Sequence, residues 1–70
     1  MVKIKLSDGK EIEMREPKVK DMKIVSNIDD EFEKELALIV NLTGMTPDEV
    51  DNLSMKDFNK VDEVLKGFLS

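Results

Sequence analysis

Two runs of strict alternation at the N-terminal end constrain the fold more than anything else in the chain. Val2-Lys3-Ile4-Lys5-Leu6 and Glu11-Ile12-Glu13-Met14-Arg15 each place apolar and charged residues on opposite faces, the period-2 pattern of a half-buried strand. Ser7-Asp8-Gly9-Lys10 between them is a turn signal, so residues 2–15 predict a β-hairpin. Side chains choose its register. When facing positions sum to 16, Ile4 meets Ile12 and Val2 meets Met14, while Lys5 meets Glu11 and Lys3 meets Glu13. A sum of 18 would set Lys3 against Arg15, and a two-residue loop would set Leu6 against Glu11 and mix the faces. The favoured register leaves the loop Ser7-Asp8-Gly9, with glycine where φ must be positive.

Past Pro17 the apolar period changes from 2 to 3.6. Residues 18–25 predict a short helix with Val19 and Met22 inward and Val25 a further inward candidate. Residues 26–28 predict a linker. Asp29 and Asp30 open a helix over 30–43, whose stripe is Phe32, Leu36, Ile39, Val40 and Thr43. Gly44 stops it. Thr46-Pro47-Asp48-Glu49 is a capping box with Pro at the first helical position. It starts a short helix over 47–52. A last helix over 55–69 places Phe58, Val61, Leu65, Phe68 and Leu69 on one face. The expected fold is therefore α+β: one domain over residues 1–70, with an N-terminal β-hairpin packed on a small bundle of three to four helices. A two-stranded hairpin is marginal alone, so its apolar face should lie on the helices, chiefly on the 30–43 helix.

Composition excludes much chemistry. The chain has 70 residues, no Cys and no His, so disulfides, zinc clusters, thiol nucleophiles and imidazole acid/base chemistry are all absent. The reducing cytoplasm is the expected compartment, and no apolar run approaches a membrane span. Net charge is −5, divided as +2 over residues 1–25 and −7 over residues 26–70. Such an acidic helical region repels phosphate. The only segment that could imitate a recognition helix, Pro47 to Leu53, carries Asp48, Glu49 and Asp51 with no basic residue, so nucleic acid is not an expected partner. Asp29-Asp30-Glu31 and Asp48-Glu49-Asp51 lack the alternating ligands and central Gly of a calcium loop. They suit helix N-termini and solvated faces. No carboxylate pair stands out as catalytic, and neither an enzymatic role nor a cofactor is expected.

The apolar surplus points to a partner. Leu38 and Leu42 lie off the stripe of their helix, and five Met are many for this length. Met45, Val50 and Met55 surround the short helix. These five residues are the expected partner-binding candidates, with core packing as the alternative reading for each. The free strand edges offer another docking site, for a second copy or a client strand.

Several pieces of the chain then form one pattern: Met14-Arg15-Glu16-Pro17 leading into a helix with Asp21, Leu42-Thr43-Gly44-Met45-Thr46, Val50, Leu53, Asp57-Phe58, and Val64-Leu65-Lys66-Gly67-Phe68-Leu69. In order and spacing this resembles the phage tail assembly chaperones of contractile-tailed and Mu-like phages and prophages. The resemblance implies a non-enzymatic role in the bacterial host cytoplasm, binding the long, helical, apolar tape-measure protein before the tail tube polymerises. It also implies a short product accompanied by a longer frameshift product that recruits tail tube subunits. This chain stops just after its last apolar helix face and is expected to be the short product. The competing class is a small acidic adaptor or regulator of a folded protein, such as a DNA-mimicking inhibitor, motivated by the acidic C-terminal two-thirds.

Overall fold

The computed structural model describes residues 1–70. Strands β1 (Val2–Lys5) and β2 (Glu11–Met14) precede helices α1 (Val19–Ile24), α2 (Glu31–Thr43), α3 (Pro47–Asp51) and α4 (Met55–Leu69). The strands pair antiparallel as Val2–Met14, Lys3–Glu13, Ile4–Ile12 and Lys5–Glu11, the register expected from the side chains. Leu6 and Lys10 close the loop: the Leu6 N–H donates to the Lys10 carbonyl at 2.8 Å. Gly9 within it has φ +89°. Ile4, Leu6 and Met14 are buried on the inner face, whereas Lys3, Lys5, Glu11 and Glu13 are exposed.

The helix ends follow their caps. Asp30 accepts from the Glu33 N–H at 3.0 Å at the start of α2. Gly44, at φ +76°, reverses the chain after it. Thr46 and Glu49 close the capping box of α3 reciprocally, at 2.9 and 3.1 Å. Ser54 caps α4 by accepting from the Asp57 N–H at 3.1 Å. Helix α2 is the hub. It packs on β2, α1, α3 and α4, while β1 rests on α4, so the hairpin leans on two helices rather than on α2 alone. Between them lies a core of eleven buried apolar residues, with Met14, Ile39, Val61 and Leu65 fully enclosed.

Two carboxylates fasten the hairpin to this core. Asp21 is 1% exposed and receives the Arg15 guanidinium in a bidentate pair at 2.7 and 2.8 Å. It also accepts from the Lys18 N–H at 2.8 Å, at the start of α1. The Arg15 N–H donates to the Leu42 carbonyl at 3.1 Å, tying the end of β2 to the end of α2. At the other end of the hairpin, Asp57 accepts from the Ser7 N–H at 3.0 Å and the Ser7 hydroxyl at 2.8 Å.

These contacts correct the expected face of α1. Val19 is 77% exposed and Met22 40%, while Asp21 and Val25 face inward. Once Arg15 claims Asp21, the inward face of α1 is set by Asp21 and by Val25, the cap four residues on, and Val19 turns outward. Leu69, expected on the inner face of α4, is 46% exposed.

Hydrogen bonds from Arg15 and Lys18 hold the Asp21 carboxyl well below its ordinary 3.8. Those from Ser7 lower Asp57 in the same direction, against the opposing effect of burial. A depressed carboxylate stabilises the fold above its unfolded pKa and ceases to as pH falls through its folded value. Thermal unfolding should therefore show stability lost progressively below about pH 4. Asp21→Asn should be less stable at neutral pH and lose less on acidification. An unchanged acid slope in this variant would remove Asp21 from that role.

Candidate functional site

One side of α2 is left uncovered. Leu36, Ala37 and Val40, spaced i, i+1 and i+4, form the floor of an open groove of about 340 Å³. Ile24, at the end of α1, is one wall, and Pro47 and Val50 of α3 form the other. The geometry follows from local signals. Gly44 folds the chain back sharply, Pro47 and the capping box start α3 at once, and α3 lies alongside α2 without reaching across it.

A second depression, of about 130 Å³, adjoins the first across Leu36 and Val50. Phe32, Leu53, Met55 and Phe58 surround it. Phe32 and Phe58 meet edge to face, with ring centroids 5.5 Å apart and planes at 61°. Three of the apolar residues bordering this continuous surface are prominently exposed: Ile24 at 59%, Phe32 at 50% and Met55 at 64%. Asn41 and Asp51 are the only polar residues lining either depression. A separate, mixed polar and apolar depression of about 560 Å³ lies between the hairpin loop and α3, with Lys10, Glu11, Met45 and Glu49 around it.

The five expected partner residues separate into two groups. Leu38, Leu42 and Val50 are 2–3% exposed; Leu38 and Leu42 line none of the depressions and follow the core alternative, whereas Val50, buried as it is, still walls both apolar depressions. The reason is the position of α2. Because β2 and α4 both pack on it, its inward arc is centred on Leu38, Ile39 and Leu42. The other edge of the expected stripe, Leu36 and Val40, is thereby turned toward solvent and becomes the groove floor. Met45 is half-buried beside the hairpin depression, and Met55 is exposed at the rim of the second apolar one. Ile24, Leu36 and Val40 were not among the expected partner residues. For Leu36 and Val40 the sequence signal was an apolar arc on α2 wider than a single stripe.

Asp30 and Glu49 are engaged as helix caps, and the Thr46 hydrogen bonds hold the Glu49 carboxyl below its usual range. Carboxylates do not gather into a group able to hold a metal ion. Elsewhere, burial and the neighbouring Asp62 push the Glu35 carboxyl up, and the Asp62 contact raises Lys66. No helix is long and apolar enough to cross a membrane. What the surface can do is cover apolar area on another molecule.

A family model described as phage tail assembly chaperone proteins, E, or 41 or 14, matches residues 4–70. No curated protein matches the chain. No solved structure matches it either.

Core and rim should separate in urea denaturation. Leu38→Ala should cost about 3 kcal/mol, as expected for a truncated core Leu. Ile24→Gln and Met55→Gln should each stay within about 0.5 kcal/mol of the parent chain. A small effect of Leu38→Ala would return that residue to the surface.

Proposed function

The chain belongs to the phage tail assembly chaperone family, and we propose that its part in tail assembly is to cover the apolar stripe of a helical segment of the tape-measure protein before the tail tube forms. The family itself is one of assembly proteins rather than catalysts. The observation that carries the reading is the continuous apolar surface over Leu36, Val40 and Val50, flanked by Ile24 on one side and by Phe32 and Met55 on the other. A long apolar helix exposed before its tube exists would associate with other copies, and the groove provides a temporary alternative neighbour. Helix-in-groove docking needs an apolar trough open along one side, and the uncovered side of α2 has that form. Met55, unbranched and exposed, can repack against an irregular client.

The competing reading, an acidic mimic of nucleic acid, would need a face of carboxylates. The apolar surface proposed for docking is not such a face, since Asp51 is the single carboxylate lining it. Recruitment of tail tube protein through a longer frameshift product remains part of the proposed role, on grounds of the family alone.

Co-expression with the tape-measure protein of the same phage genome should raise the client's soluble fraction and allow the two to be purified together. Binding should survive moderate salt, because the contact is mainly apolar. The double variant Ile24→Gln/Met55→Gln should remain folded and bind at least roughly tenfold more weakly, equivalent to about 1.4 kcal/mol. A client that is no more soluble with the chaperone than without it would overturn the proposal.

A further inference from the structure

Asp51 is the only charged residue lining either apolar depression, and it lines both. The residue is exposed in the free protein, so its charge is solvated there. It forms no ion pair: the three in the molecule are Arg15–Asp21, Lys34–Glu31 and Lys66–Asp62. It is the last residue of α3, and a carboxylate at a helix C-terminus opposes the helix dipole. By contrast, Asp30, Glu49 and Asp57 near helix N-termini all accept hydrogen bonds.

We propose that Asp51 makes the groove selective for an amphipathic helix that carries a Lys or Arg within its apolar stripe. The proposal rests on the docking reading above and specifies its partner. A docked helix would displace water from the groove side of the exposed Asp51, and the partial loss of solvation is unfavourable unless a cation meets the carboxylate. Lys and Arg suit the position because their aliphatic stems lie along apolar surface while the charged end reaches the carboxylate. Apolar residues one turn to either side of that cation would then occupy the depressions on the two sides of Leu36 and Val50. A client with Glu at the same place would bring two desolvated like charges together, so the same residue also rejects.

The test uses three fluorescein-labelled Leu/Ala-rich amphipathic peptides, identical except for Lys, Gln or Glu at one central position of the stripe. Binding to the full chain is followed by anisotropy at about 150 mM salt, where distant charges are largely screened. The Lys peptide should bind roughly tenfold tighter than the Gln peptide, and the Glu peptide most weakly. Asp51→Asn should abolish the Lys advantage, and Asp51→Lys should reverse the order. Asp48→Asn, which changes an exposed carboxylate of the same helix outside the lining, should leave the order unchanged and so separates Asp51 from the general negative charge. Equal binding of the three peptides, or an equal loss of preference in Asp48→Asn, overturns the role of Asp51 and leaves the docking reading standing. Failure of all three to bind overturns both.

Discussion

The pair between Arg15 and Asp21 is the contact on which the rest of the structure depends. Two strands joined by a three-residue loop cannot hold themselves together in water. Here the hairpin is anchored where β2 ends. The guanidinium of Arg15 reaches a buried carboxylate on α1, and its backbone N–H reaches the last turn of α2. Asp21 in turn accepts from the first backbone donor of its own helix, so one carboxylate both starts α1 and holds β2. Asp57 does the matching task for the loop, through Ser7. Removing Arg15 would leave a buried carboxylate without its cation, which is worse than having neither. The hairpin, α1, α2 and α4 are therefore positioned together rather than in sequence.

That coupling explains which parts of the fold were legible in the residue pattern. The hairpin register was, because opposite charges and like sizes meet at only one offset. The helix limits were too, because Asp30, Gly44, Thr46 and Ser54 mark them by side-chain chemistry confined to a few residues. The facing of α1 was not. Val19 and Met22 are the apolar residues at helical spacing, but the inward position belongs to Asp21 through an arginine six residues away. A period analysis counts a carboxylate as outward by default. It fails where a long-range ion pair makes the carboxylate the buried group. The run Arg15-Glu16-Pro17 with Asp21, a mark of family resemblance in the sequence, acquires a physical meaning here as the residues that lock the hairpin.

An apolar surplus on α2 was legible in the residue pattern, but which of its residues lie at the surface was not. Leu38 and Leu42 fill the core because two elements press on that side of the helix. Leu36 and Val40 are left open because α3, only five residues long, is too short to cover them. Which half of a wide apolar arc faces solvent is decided by the neighbours, and their positions depend on contacts distant in sequence. The same cause that makes the hairpin seam secure, its fixing by side-chain hydrogen bonds at both ends, turns α2 so that its other side is free.

The two seams of α2 differ in how they are fastened. Toward the hairpin, the Arg15 N–H is bonded to the Leu42 carbonyl, and the carboxylates that hold the hairpin from α1 and α4, Asp21 and Asp57, are well supplied with donors. Toward α4, Asp62 is buried with one oxygen lacking any partner, and its ion pair to Lys66, at 3.2 Å, lies within α4 itself. Glu35 of α2 adds a second carboxyl nearby, its proton affinity raised by burial and by Asp62. At neutral pH this seam relies mainly on apolar contacts among residues such as Ile39, Phe58, Val61 and Leu65, because the repulsion between Glu35 and Asp62 is set against the attraction of Lys66 to both. A contact held by non-directional packing can shift slightly without losing its energy, whereas a bidentate pair cannot. The apolar depression between Phe32 and Phe58 lies on this more yielding side. A surface bordered by packing of this kind can fit helices whose side chains differ along their length, while the hydrogen-bonded hairpin, which lines neither apolar depression, keeps a single register for the fold.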